Sequence, residues 1–251
     1  EPIAIASSRH VSIANILYYI GGGIVCIGIA ILIGQNWEVF SITTRILVTF
    51  GVAVMAYVAG VLLMRDERFE GLGQAFHLIA AIVLPVGVFT VFDAAHINLE
   101  SLGIISLIFL IIFLVYLAST LLFKKTMFLL FALAHGTILF FVFTQFLLAQ
   151  NPIYDWHIDA YRILVVGLSY MFFGYYYSTR SFSALSGLLY SLGSIGFLGA
   201  SMSLGGWSPD QNLFWEAIFP LLVFGIIYLS IYVKSRSFLV FGALFLMGYI
   251  L

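Results

Sequence analysis

An all-α, polytopic transmembrane helix bundle of about nine spans is the fold class this sequence predicts, and three observations predict it. First, 63% of the residues are hydrophobic and 8% are charged, against about 25% charged in an ordinary soluble domain. Second, the charges cut the chain into long charge-free windows, and roughly 20 apolar residues suffice for a helix to cross a bilayer. Third, the basic residues gather on every second connection, which is the asymmetry that sets orientation in a membrane. Strands of a β-barrel do not fit, because the apolar runs are continuous and not alternating.

The windows place helices near 12–34, 42–64, 71–93, 102–123, 126–149, 160–178, 182–204, 213–233 and 237–251. The first is rich in glycine and carries a stripe of small residues at spacing four, Gly22, Cys26, Ala30 and Gly34. Such a stripe reads as a packing seam. Gly21-Gly22-Gly23 is no phosphate loop, because it lies in an apolar span without the Lys-Ser/Thr that follows in one. Nor is this span a signal peptide: it is too long, and Gly34-Gln35-Asn36-Trp37 lacks a small-x-small cleavage pattern. Cys26 is the single cysteine, so no intrachain disulfide forms.

The second and sixth spans open on Arg45 and Arg162. The third carries His77 and Pro85, the latter a predicted kink. The fifth carries His135. The seventh has a second small stripe, Ser183, Gly187 and Ser191, and the eighth starts at Trp215-Glu216 with Pro220 behind it. The ninth is short. The chain starts without Met and stops in mid-pattern at Tyr249-Ile250-Leu251, and is expected to be a piece of something longer. Residues 1–11 read as a cytoplasmic N-terminal segment and 12–251 as one transmembrane domain. The connections leave no room for a soluble domain, so any chemistry belongs in the bundle or at its faces.

Arg9, Arg65, Arg68, Lys124, Lys125, Arg180, Lys234 and Arg236 fall on one side of this layout; only Arg45 and Arg162 fall on the other. The N-terminus is therefore expected in the cytoplasm and the protein in the inner (plasma) membrane. Trp37, Trp156, Trp207 and Trp215 all fall at the outer interface, and Tyr175, Tyr176 and Tyr177 at the inner one, as aromatic belts do.

Arg45-Ile46-Leu47-Val48 recurs as Arg162-Ile163-Leu164-Val165. Phe69-Glu70-Gly71-Leu72 then falls opposite Phe182-Ser183-Ala184-Leu185, His77 opposite Tyr190, and Lys125-Thr126-Met127 opposite Arg236-Ser237-Phe238. The expected layout is a first helix, one four-helix repeat over 42–149 and a second over 160–251, truncated. An even number of spans per copy makes the copies parallel.

Arg45 and Arg162 stand at the outer start of their helices, where both the topology and the positive helix N-terminus disfavour a cation. Asp159, three residues before Arg162, is placed to pair with it, and Glu38 is the nearby acid for Arg45. Two readings stay open: arginines snorkelling to the headgroups, or a paired outer-face site for an anion or lipid headgroup made by Arg45, Arg162, Glu38 and Asp159. Glu216 suits its helix N-terminus and calls for no further role. His77 and His135 are the histidines inside spans. They read as hydrogen-bonded bundle residues, with a shared haem or metal as the remote alternative. No HExxH, CxxC or CxxCH pattern occurs, so no metal or other cofactor is expected.

Ile33-Gly34-Gln35-Asn36-Trp37-Glu38, after a Gly-rich span and before an Arg-led one, resembles a family of bacterial multi-pass membrane proteins catalogued as a domain of unknown function. A Q/A-x-N-W-D/E-like turn joins the first two helices in that family; here Asn36 follows Gln35 directly. The resemblance covers mainly residues 12 to about 95. It implies a prokaryotic inner-membrane location, with no assigned activity and no site to carry over.

No Asp, Glu, Lys or Arg lies near the centre of a predicted span, which disfavours proton-driven pumps and voltage sensors. No basic patch supports nucleic-acid binding. Two function classes remain: handling or transport of a small or amphipathic solute such as a lipid, and a non-catalytic membrane scaffold or sensor subunit. A redox protein with haem on His77 and His135 is the distant third. An enzyme is not the expectation. The expected partners are membrane lipids, with a homo-oligomer or other membrane subunits left open.

Overall fold

The computed structural model describes residues 24, 27–28, 30–149, 156–179, 182–205 and 212–251. Among these, all regular structure is helical. The helices are α1 (Ile42–Leu63), α2 (Glu70–Ala94), α3 (Leu102–Phe123), α4 (Thr126–Leu148), α5 (Trp156–Ser178), α6 (Ser186–Gly205), α7 (Leu213–Val233) and α8 (Arg236–Ile250). Each matches an expected span to within a few residues. The span expected at 12–34 lies largely outside the described residues, and with it Gly22 and Cys26.

Six of these helices are long and apolar enough to cross a membrane: α1 to α4, α6 with the short 3₁₀ turn before it, and α7. α5 has 23 residues, about 34 Å at 1.5 Å per residue. It is not among the six because it carries Asp159, Arg162 and five tyrosines. α8 has 15 residues.

Local chemistry sets the helix ends. The Ser41 hydroxyl accepts the Thr44 N–H at the start of α1, and the Asn212 side-chain oxygen accepts from Phe214 and Trp215 at the start of α7. Such caps satisfy amides that have no partner within the helix. α3 and α7 stop at Lys124 and Lys234, which turn left-handed with φ of 52° and 56°. Their N–H groups close back on the Thr120 and Ser230 carbonyls, and the next helix begins two residues later.

Within the helices, hydroxyls bond to the carbonyl one turn back: Thr49 to Arg45, Thr90 to Val86, Ser106 to Leu102, Thr120 to Tyr116, Ser194 to Tyr190 and Ser201 to Phe197. No water reaches a bilayer core, so this is how a hydroxyl is tolerated there. α1 widens by one residue in a π turn over Leu47–Gly51.

The chain divides into two compact units, Glu1–Glu100 and Ser101–Leu251. In the first, α1 and α2 form an antiparallel hairpin. Its helices touch so closely that a Cβ on Gly87 would lie 2.5 Å from Phe50 Cα. In the second, α3–α4, α5–α6 and α7–α8 are successive hairpins, and α6 packs on both α7 and α8. A Cβ on Gly167 of α5 would stand 2.5 Å from Phe197 N of α6, and one on Gly193 of α6 would stand 2.8 Å from Gly167 O. Lipid tails are as apolar as leucine, so helices associate through close van der Waals contact, which small residues permit. Met171, Tyr190, Leu198, Phe219, Val223 and Phe238 form one buried cluster in this unit. On the outside, Leu121, Leu122, Leu213, Leu221 and Ile231 are each at least 70% exposed, a surface suited to hydrocarbon and not to water.

Candidate functional site

Arg162 lies in the first turns of α5 and is 8% exposed. Its guanidinium reaches three acceptors. One amino group donates to Asp159 Oδ1 at 2.6 Å and to Gln145 Oε1 at 3.0 Å. The other donates to the Phe141 carbonyl. The group also lies over the Phe141 ring, 4.9 Å from its centroid. The pairing with Asp159 is the one its spacing predicts. Gln145 and Phe141 are on α4, so the arginine joins α4 to α5. The Thr137–Tyr170 hydroxyl contact of 2.6 Å joins the same two helices deeper down.

Arg45 sits differently. It is half-buried. Its Nε donates to the Phe40 carbonyl at 3.2 Å, and its guanidinium lies over the Trp37 ring at 5.1 Å. Glu38 is exposed and forms no ion pair with Arg45 among the described residues. The two arginines therefore differ in surroundings. They also differ in distance from the glycine that receives an aromatic ring in each hairpin. Arg45 is 15 residues before Gly60, which packs on the His77 ring. Arg162 is 12 residues before Gly174, which packs on the Tyr190 ring. The extra residue of the π turn in α1 accounts for part of that difference.

His77 and His135 belong to different units. His77 is fully buried, its ring against Gly60 and edge-on to Tyr57 at 5.2 Å. His135 Nδ1 is 2.8 Å from the Phe131 carbonyl, one turn back, and its ring stacks on Tyr116 at 5.2 Å. Each ring thus occupies a packed aromatic niche. Among the described residues no group of three or more His, Cys, Asp or Glu is placed to hold a metal ion.

A feature that no motif announced is a groove of about 680 Å³ on the second unit. Met171, Tyr190 and Phe238, all buried, form its floor. Leu168, Phe172 and Tyr175 of α5 form one wall; Leu229, Tyr232 and Val233 of α7 form the other. From Leu168 to Tyr175 the wall runs about 10 Å along α5. The volume is within the usual range for small-molecule sites. The single side-chain hydroxyl in the α5 wall above Tyr175, that of Ser169, already donates to the Val165 carbonyl. The sequence signal for this place is the aromatic density at the C-terminal ends of α5 and α7, which reads equally well as an interfacial belt.

Helices of this length and exposure define a helical membrane protein. The chain belongs to the family described as Predicted membrane protein (DUF2157), whose model matches residues 4–129. The match extends the resemblance carried by the Gln35-Asn36-Trp37-Glu38 turn through α3 and into α4. No curated protein and no solved structure matches the chain.

Proposed function

We propose that this multi-pass membrane protein receives the apolar part of an amphipathic, lipid-like solute in the groove between α5 and α7. The observation that carries the reading is the groove itself: concave, about 680 Å³, and walled by apolar and aromatic side chains. Three wall residues, Phe172, Tyr175 and Tyr232, are more than half exposed. On a membrane helix such side chains meet lipid chains first.

In this reading the protein has nine spans, with its N-terminus in the cytoplasm of a bacterial cell and its helices in the inner membrane. The parallel repeat belongs to it as well. For α3–α4 and α7–α8 the better register is 110 residues, because the two left-handed lysines, Lys124 and Lys234, stand at that offset. Ile108, Phe109, Phe128, Leu129 and Phe131 then match Ile218, Phe219, Phe238, Leu239 and Phe241. Arg162 acts as a clasp between α4 and α5, since its amino groups are spent on Asp159, Gln145 and Phe141. Arg45, held by one carbonyl and a ring, is the arginine left to meet an outer headgroup.

A phospholipid with a photoactivatable acyl chain tests the groove. Labelling concentrated on Leu168, Phe172 and Leu229, beyond that of the more exposed Leu121 and Leu122, is the expected result. Labelling that merely follows exposure would favour the scaffold or sensor reading, in which the helices only pack.

A further inference from the structure

We propose that the groove takes one chain of an anionic phospholipid, with the lipid phosphate held by Lys234 and Arg236. The proposal rests on the reading of the groove as an apolar-chain site and adds the chemistry of the headgroup. The α7 wall ends at Tyr232 and Val233, and Lys234 is the next residue. There the left-handed backbone, φ 56°, turns the chain sharply into α8. Arg236 opens α8, two residues before Phe238 in the groove floor. Both side chains are exposed, and neither makes a hydrogen bond or ion pair among the described residues.

Charge is therefore offered at one end of the groove only. No acidic or basic residue lies within a turn of Leu168 or Leu229, which bound the other end. An apolar slot with cations at a single end matches an anionic amphiphile aligned with the helices. A zwitterionic lipid fills the slot too, but its headgroup cation offsets the phosphate and opposes the two basic side chains. The amides of the first turn of α8 add to the attraction for an anion. Juxtamembrane basic residues already favour anionic lipid at such a height, by a factor of roughly five each and so about 30-fold for the pair.

The test is native mass spectrometry of the full chain in detergent, titrated separately with phosphatidylglycerol and phosphatidylcholine of identical chains. We expect phosphatidylglycerol to bind about 10- to 30-fold more tightly. The double variant Lys234→Gln/Arg236→Gln is expected to lose that preference, with phosphatidylcholine binding changed the less of the two. Leu229→Trp, which fills the groove, is expected to weaken both lipids. Lys124→Gln/Lys125→Gln, in the other two-residue turn of the same unit, is expected to change neither. Equal wild-type affinities, or a preference that survives the double variant, would overturn the headgroup assignment and leave the groove reading standing. Binding of both lipids unchanged by Leu229→Trp would overturn the groove reading and the proposal with it. A preference lost equally in Lys124→Gln/Lys125→Gln would reduce the effect to general surface charge and overturn the assignment.

Discussion

The guanidinium of Arg162 and that of Arg45 begin from the same four-residue sequence and end in different chemistry. Arg162 is buried on three acceptors; Arg45 is half-buried on one carbonyl and a tryptophan ring. Arg162→Ala strands the Gln145 amide oxygen and removes a charged group's hydrogen bonds to it and to the Phe141 carbonyl, at a cost of about 2–3 kcal/mol. Asp159, 41% exposed, adds little to that sum. Arg45→Ala removes one hydrogen bond and one cation–π contact and costs about 1 kcal/mol. Thermal unfolding in detergent should rank the two variants in that order; equal losses would contradict the assignment of Arg162 as a clasp. Residue spacing made part of this legible. Asp159 stands one helical turn before Arg162, and the pair forms. Gln145 and Phe141 stand on another helix, 17 and 21 residues away, and nothing in the sequence points to them. Glu38 was the nearest acid to Arg45, but proximity in sequence outside a regular helix fixes no direction, and the arginine turns to Phe40 and Trp37.

At the scale of the element, charges made the boundaries readable: α3 and α7 end at Lys124 and Lys234, where the windows stop, whereas the caps at Ser41 and Asn212 emerge only in the structure. The packing seams were less so. Ser183, Gly187 and Ser191 share a face of the chain, and Ser191 and Gly187 do meet Ser237 of α8. Yet a Cβ on Gly187 meets nothing within 4 Å, whereas one on Gly167 or Gly193 meets backbone. Spacing identifies a face; which face meets a neighbour depends on the fold. Gly167→Ala is therefore expected to push α5 from α6 and cost about 1–3 kcal/mol. Gly187→Ala should be neutral or stabilising by up to about 1 kcal/mol, through helix propensity. Chemical or thermal unfolding of the two single variants decides, and a larger loss at Gly187 would refute the seam. The turns allow a second prediction. Lys124→Gly and Lys234→Gly relieve a left-handed backbone that costs a lysine roughly 1 kcal/mol. Each should raise the unfolding midpoint, and a fall in both would show that the lysine side chains stabilise the turns by more than their backbone strain costs.

For the whole molecule, composition and the charge-free windows point to a helical membrane protein, and the family match over residues 4–129 agrees. The orientation proposed from the basic turns has a direct test. With Cys26 replaced by serine, a cysteine placed at Lys124 or Lys234 is expected to react with a membrane-impermeant maleimide only after the inner face is opened; reaction in intact cells would reverse the topology. The groove stayed invisible to the sequence for a physical reason. Its floor comes from Met171, Tyr190 and Phe238, on three helices spread over 68 positions, and aromatic residues near helix ends look alike whether they line a slot or anchor in headgroups. The most direct measurement is a density map of the protein in nanodiscs containing phosphatidylglycerol. The groove reading predicts an elongated acyl-chain density against Met171, Tyr190 and Phe238, with its headgroup beside Lys234 and Arg236. Side chains, another helix or a second copy of the chain filling that space instead would contradict it.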